Sequence, residues 1–535
     1  MLLIASNLKY SIQMKNKFIY LSILVAGLVS CEPEFENAVD ANYTAGEADF
    51  STYVAIGNSL TAGYMDGTVS RVGQSYSFPN LLSQQFATVG GGSFTQPSYE
   101  EDVNNLGGIS GLPGFNTRLV INAAVGAPQP LAGTSTITLT PQATAYNNMG
   151  VPGAKSFHLL APGYGNPAGV ALGLANPYYV RHATSATSTV LGDALSKNPT
   201  FFTNWIGAND ILSYATSGGT KSDGSPADDH NVTGNTNPAT YGGNDITNSA
   251  VFAGTYSMII DQLTANGAKG VVCTIPSVTS IPYFTTVPYN PLSPTALGGS
   301  ANINALNSQL YGPLNAIFSA YGEPNRVKLL SATAANPILI YDVDAADRSA
   351  QITGALTPSL GAPTAAAFGA IFGKARQATV NDLIVLTASS VIGSTNASSP
   401  SPLININGVS YPMANKWVLT TTEQIKVANA TSSYNNAIVS IASSKNLAIA
   451  DMNAILNQLV NGLRSVDGSL YTANYFSGAA TENKVLFSLD GVHPNARGYA
   501  VIANEIIKVI NSHYKSNMPY LNPSYYPGIN VVATN

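Results

Sequence analysis

The sequence predicts an α/β protein built on a parallel sheet with covering helices. Three observations carry that prediction. Short apolar runs at 53–56, 201–206, 271–275 and 447–450 have the length of buried strands. Helix-length segments with apolar residues at 3.6-residue spacing lie between and after them. Ser59 and Asn209 fall just beyond two of the runs, at the strand ends where open α/β sheets hold their sites.

At the N-terminus, Lys15 and Lys17 precede an apolar run over 18–29. It is too short to span a bilayer as a helix and has the form of a signal-peptide core. The run ends Leu28-Val-Ser-Cys31, which resembles a bacterial lipobox. That resemblance implies removal of 1–30, lipidation of Cys31 and an exported lipoprotein on the outer membrane or cell surface. Met14 is then the better start. A buried-thiol reading of Cys31 sits badly with Glu32-Pro-Glu-Phe-Glu36, which follows at once. Residues 31–50 are acidic and without period, a tether to the body at 51–535.

Within the body, the run 53–56 breaks at Gly57 and Asn58, and Ser59 opens a helix. A helix with Pro79 in its first turn covers 79–86. Residues 90–145 are Gly-, Ser-, Thr- and Pro-rich. Two β-like runs there, 119–125 and 134–139, predict an inserted hairpin. The strand 201–206 delivers Asn209, and a polar loop spans 221–248. A helix over 255–266 stops at Gly267, and the strand 271–275 buries Cys273. Residues 277–419 interrupt the pattern as one large insertion, a lid or subdomain, with apolar pieces at 337–341 and 383–386. The alternation resumes with a helix at 421–444, a strand at 447–450 and a helix at 454–460. Val501, Ile502, Ile506, Val509 and Ile510 give the segment 500–514 helical spacing, and Pro494 stands where the first residue of this last helix belongs.

A serine at a strand end has its N–H at a helix N-terminus, where negative charge is stabilised. The alternative role for Ser59 is an N-cap. Far along the chain, Asp490-Gly-Val-His493 sets a carboxylate within one turn of an imidazole. Serine is a weak nucleophile without an adjacent base. An imidazole titrates near pH ~6.5, and a carboxylate fixes its tautomer.

Around Ser59 and His493 the chain resembles the GDSL, or SGNH, hydrolase family. Asn148-Met-Gly-Val-Pro-Gly153 and Gly207-Ala-Asn209-Asp210 resemble the family's second and third blocks, and the four blocks stand in the family's order. The resemblance implies a three-layer α/β/α, flavodoxin-like fold and a Ser59–His493–Asp490 triad. It also implies an oxyanion hole from the N–H groups of Ser59 and Gly153 and the amide of Asn209. Asn58 departs from the family, which has Asp there; this puts the loop's hydrogen bonding, and so the setting of Ser59, in question. No G-x-S-x-G elbow is present, which argues against the usual lipase type of α/β-hydrolase.

Only 10% of the 535 residues are charged and the net charge is −5, so no basic stripe exists for nucleic acid. His158, His182, His230 and His513 have no partners at metal spacing and are expected in exposed or loop positions. Asp342, Asp344 and Asp347, and Asp223 to Asp229, lack the full calcium-loop pattern and are expected as solvated turns. The tyrosines of 520–526 are expected to pack on the body. The mechanism needs no metal and no cofactor. The expected function is ester hydrolysis as a carboxylesterase or lipase, on a small-molecule or polymer substrate. The alternatives are a carbohydrate O-acetyl esterase and a non-catalytic glycan-binding surface lipoprotein.

Overall fold

The computed structural model describes residues 42–122, 124, 126–465, 468–476, 484–529 and 531–532. The leader, Cys31 and most of the tether lie outside the described residues. The compact unit is Ala45–Asn535. It therefore begins inside the stretch read as tether. The reason is apolar: Ala48 and Phe50 are buried, and Phe50 stacks on Phe86 with ring centroids 4.1 Å apart.

In chain order, the elements that build the site are β1 (Tyr53–Gly57), α1 (Ser59–Ala62), α2 (Phe78–Ala87), β2 (Leu119–Asn122), β3 (Ala127–Pro130), β4 (Asn148–Gly150) and β5 (Phe201–Trp205). They continue with α3 (Asn209–Thr216), α4 (Ser249–Thr264), β6 (Lys269–Cys273), α5 (Thr421–Ser444), β7 (Ala448–Ala450), α6 (Met452–Asn461) and α7 (Ala496–Tyr514). Five strands form the central sheet in the order β7-β6-β5-β1-β4, all parallel. Gly57 pairs with Gly150 on one side and Trp205 on the other. The carboxyl ends of β4, β1 and β5 are therefore level, and the loops leaving them are neighbours.

Helices cover both faces, as the strand side chains require. Val54 and Ile56 share a core with Ile259 of α4 and Ile438 of α5. Tyr53 and Ala55 share another with Leu82 of α2 and Ile506 of α7. Period-2 alternation sends each strand's residues into two different cores, which is why the runs read as continuously apolar.

The structure corrects several boundaries. The inserted hairpin exists, but β2 pairs antiparallel with β3, not with residues 134–139. Pro128 and Pro130 lie in β3, which among the described residues has only β2 as a strand neighbour; an edge strand tolerates prolines that offer no N–H. Helix α7 starts at Ala496, not Pro494, because Asn495 caps it by accepting from the Gly498 N–H at 2.9 Å. Helix α4 starts six residues before the expected 255, where Asn248 caps it. The 277–419 insertion has no separate core: Ile340, Phe372 and Ile384 belong to the same cluster as Val54 and Ile56.

Candidate active site

Strand β1 ends at a glycine because nothing larger fits. A Cβ on Gly57 would lie 2.1 Å from Thr61 Oγ1 and 2.8 Å from the Trp205 carbonyl. Asn58 is buried; its Oδ1 accepts from the Leu60 N–H at 3.3 Å and its carbonyl from Ala62 N–H at 3.1 Å. The cap of α1 is thus Asn58, not Ser59. Asn and Asp cap equally well, so the departure at this position leaves the turn intact. The Ser59 hydroxyl is released from capping, and the cap takes the N–H of Leu60 rather than that of Ser59.

Four hundred residues later the chain returns to the same edge of the sheet. His493 Nε2 lies 2.8 Å from Ser59 Oγ, and His493 Nδ1 lies 2.8 Å from Asp490 Oδ2. With Nδ1–H donating to the carboxylate, Nε2 is left to accept the Ser59 proton. Asp490 Oδ1 accepts from the N–H groups of Val492 (2.9 Å) and His493 (2.8 Å) and from Ser488 Oγ (3.0 Å). Its Oδ2 accepts from Gly67 N–H at 3.1 Å. Burial pushes the Asp490 carboxyl up, but the His493 imidazole and these N–H donors outweigh it and hold the group below the usual carboxylate range.

Part of this apparatus escaped the sequence reading. Met65 and Thr68 bridge across a tight turn whose central residues, Asp66 (φ +54°) and Gly67 (φ +83°), both have positive φ, as a type I′ turn demands. The turn clasps the loop that carries the acid. Asp66 Oδ1 accepts from Leu489 N–H at 3.0 Å, and Asp66 N–H donates to Ser488 Oγ at 3.0 Å. Burial, with the Asp490 charge adding to it, pushes the Asp66 carboxyl up to about 6 against the opposing Leu489 N–H. Tyr64 leans on the imidazole, ring centroids 4.5 Å apart, and its carbonyl is fixed by Tyr499 Oη at 2.6 Å. The Asp-Gly dipeptide was a legible turn signal. Nothing local tied it to Ser488.

Beyond β4, Val151-Pro152-Gly153-Ala154 makes a turn in which Ala154 N–H donates to the Val151 carbonyl at 3.1 Å. Proline followed by glycine at φ +81° is the type II pattern. That turn consumes the N–H of Ala154 and not of Gly153, which is exposed. Asn209 opens α3 beyond β5 and is buried; its Nδ2 donates to the Ala154 carbonyl at 3.0 Å. One amide hydrogen thus ties Asn209 to the Gly153 loop, and the other remains for a second acceptor. Asp210 accepts from Ser156 N–H and Oγ, both at 2.8 Å, which anchors the start of α3 to the segment after that loop. Ser59, Gly153 and Asn209 therefore stand on adjacent loops at the level ends of β1, β4 and β5.

Two cavities meet at Val492. A cleft of about 870 Å³ is lined by His493 and Asp490 themselves, with Tyr64, Tyr283 and Tyr475. A small apolar pocket of about 110 Å³ lies against Leu60 and Val492, the chain neighbours of Ser59 and His493, and against Met452, Leu456 and Ile502.

The remaining histidines and acids settle differently from one another. His182 and His230 are buried rather than exposed. His182 is packed by Tyr179 and Tyr146, and burial with Arg181 beside it pushes its imidazole down to about 3. His230 is paired with Asp245 at 3.0 Å. Asp342 pairs with Arg376 at 2.6 Å, and Asp347 accepts from Ser349 N–H at 2.8 Å. Tyr526 packs on Tyr76, whereas Tyr525 is exposed. Among the described residues no group of three His, Cys, Asp or Glu side chains gathers at metal-binding distance, and no helix is long and apolar enough to cross a membrane. No family model, curated protein or solved structure matches the chain.

Proposed function

We propose that the chain is an exported serine hydrolase of carboxylic esters with an SGNH-type three-layer α/β/α fold. The observation that carries this is the unbroken line Ser59 Oγ–His493 Nε2 and His493 Nδ1–Asp490, 2.8 Å at each step, at the carboxyl edge of a parallel sheet. In the cycle, His493 takes the Ser59 proton as Oγ attacks the ester carbonyl. Asp490 holds the imidazole in the needed tautomer and balances the imidazolium that forms. The oxyanion is received by the N–H groups of Ser59 and Gly153 and the free amide hydrogen of Asn209. The imidazolium then protonates the leaving alcohol, and water repeats the sequence on the acyl-serine.

The apolar pocket between Leu60 and Val492 suits the acyl side. At about 110 Å³ it is smaller than the cavity of about 150 Å³ that holds a benzene, which favours short acyl chains over long ones. Asn58, the departure that would favour a non-catalytic lipoprotein, supplies the cap that Asp would supply. The lipobox-like Leu28-Val-Ser-Cys31 supports anchoring through a lipid on Cys31. A fluorophosphonate probe tests the reading: wild-type protein is labelled at Ser59 and hydrolyses p-nitrophenyl acetate, and Ser59→Ala does neither. Absence of both in the wild type sinks it.

A further inference from the structure

The cleft beside His493 is assembled mostly from the insertions. Leu119, Ala127 and Pro128 come from the β2–β3 hairpin. Tyr283, Thr286 and Val287 come from one end of the 277–419 insertion, and Leu386, Thr387, Ser389 and Ser390 from its interior. Tyr475, Phe476 and the loop of the acid close it. The insertion is pinned to the acid's loop by a direct bond, Tyr283 N–H to the Gly491 carbonyl at 2.9 Å. The segments that differ most from the catalytic blocks thus form the walls within reach of the leaving alcohol.

We propose that this cleft receives the alcohol half of the ester, and that this half is a neutral, hydroxyl-bearing group of sugar size. The proposal rests on the hydrolase reading above. Charge is the first argument. Among the described lining residues Asp490 is the one carboxylate, and both its oxygens are already engaged. The described lining residues include no lysine or arginine to meet a phosphate or carboxylate.

The hydroxyl groups of the cleft select in the same direction. Ser389 Oγ donates to the Leu386 carbonyl at 2.7 Å, Ser390 Oγ to the Thr387 carbonyl at 3.1 Å, and Thr286 Oγ1 to the Pro282 carbonyl at 2.7 Å. Their protons are spent within the protein, so these oxygens offer lone pairs outward. An anionic headgroup is an acceptor only and finds no donor among them. A polyhydroxyl group brings its own donors.

Aromatic faces also line the cleft. Tyr475 is tethered through its hydroxyl to the Leu489 carbonyl at 2.5 Å, and Tyr283 through its hydroxyl to Thr387 Oγ1 at 3.2 Å. Rings held by their polar ends present their apolar bodies to a ligand. The volume, about 870 Å³, falls within the roughly 300–1,000 Å³ of small-molecule sites, far more than an acetyl group alone requires.

The test holds the acyl group constant and varies the alcohol. Purified full-length protein is given acetylated methyl xyloside, monoacetylglycerol, monoacetylglycerol phosphate and acetylcholine, with p-nitrophenyl acetate as the reference. We expect kcat/KM for the two neutral hydroxyl-bearing esters to exceed that for the phosphate ester by at least about tenfold. Ser389→Lys, which adds a donor cation at an exposed cleft position, should reduce that ratio to below about threefold. Equal rates on the neutral and phosphate esters in the wild type, or acetylcholine as the best substrate, would overturn the proposal while leaving the hydrolase reading intact. No hydrolysis of any ester, with no fluorophosphonate labelling of Ser59, removes both.

Discussion

Among the described residues two hydroxyl–imidazole–carboxylate arrays stand in very different surroundings. In the first, Ser59, His493 and Asp490 are joined by 2.8 Å contacts. In the second, His230 lies 3.0 Å from both Asp245 Oδ2 and Thr233 Oγ1. The hydroxyl of the second comes from the same single helical turn as its histidine, His230–Thr233. Its imidazole is stacked on Tyr241 with centroids 3.8 Å apart, and its acid also accepts from Asp228 N–H (3.0 Å) and Gly242 N–H (2.6 Å). It is a clasp that folds the polar 221–248 loop onto itself. The first array differs in its surroundings. Its hydroxyl stands at a strand end beside two other loops with free donors, and its imidazole borders a cleft of about 870 Å³. Three residue types in a line do not make a catalyst; oxyanion donors and access do.

Swapping removals between the arrays gives the largest contrast. Ser59→Ala should lower p-nitrophenyl acetate turnover by at least about 10⁴-fold, whereas Thr233→Ala should leave it unchanged. Equal losses would erase the distinction. Next in size is the loss of the amide proposed above as an oxyanion donor. Asn209→Ala should cost about 2.7–4 kcal/mol of transition-state stabilisation, seen in kcat. The thermal midpoint should move little, since Asp210 still anchors α3 to Ser156. An Asn209→Ala enzyme with wild-type kcat would take the amide out of the mechanism.

The clasp should answer in stability instead. Asp245→Ala strips the acceptor from Asp228 N–H, Gly242 N–H and His230 Nε2 at once. We expect a loss of roughly 3 kcal/mol in urea unfolding, on the scale of a buried polar group left unpaired. Activity per folded molecule should persist. A variant of full stability with lost turnover would mean that the second array has been misread.

The same contrast explains what was legible in the sequence. β1, β5, α5 and the loops that carry Ser59, Gly153, Asn209 and His493 could be read because each is a local pattern: an apolar run, a 3.6-residue period, a glycine beside a polar residue. Asn58, Gly153 and Asn209 were visible for that reason. The clasp of Asp66 on Ser488 and Leu489 was not, because its two sides lie about 420 residues apart and neither a lone serine nor an Asp-Gly turn points to a distant partner. The burial of His230 was hidden in the same way: the stretch around it is polar, and its partner Asp245 closes a loop rather than a helix turn. The hairpin partner was misassigned because 134–139 is the more β-like run, while the Pro-containing 127–130 strand follows its partner closely enough for local pairing.

The smallest effect is also the one that probes the clasp around Ser59, His493 and Asp490. Asp66 is held up at about 6 in the folded chain, against about 3.9 for an unperturbed aspartate. Between those values the native state keeps a proton that the unfolded chain has released, so stability falls as pH rises through that window and the penalty is complete above about pH 6. Asp66→Asn removes the charge and keeps an oxygen for the Leu489 N–H. Its unfolding midpoint should therefore exceed wild type at pH 7.5, and the gain should vanish near pH 4. In kinetics, one negative charge fewer near Asp490 leaves the imidazolium less supported. The acid limb of kcat/KM should move to lower pH, with a loss at the plateau of less than about tenfold. A purely structural Asp66 would alter the midpoint and leave the limb where it was. Midpoints shifted equally at both pH values would mean that the carboxyl does not carry the strain that its burial implies.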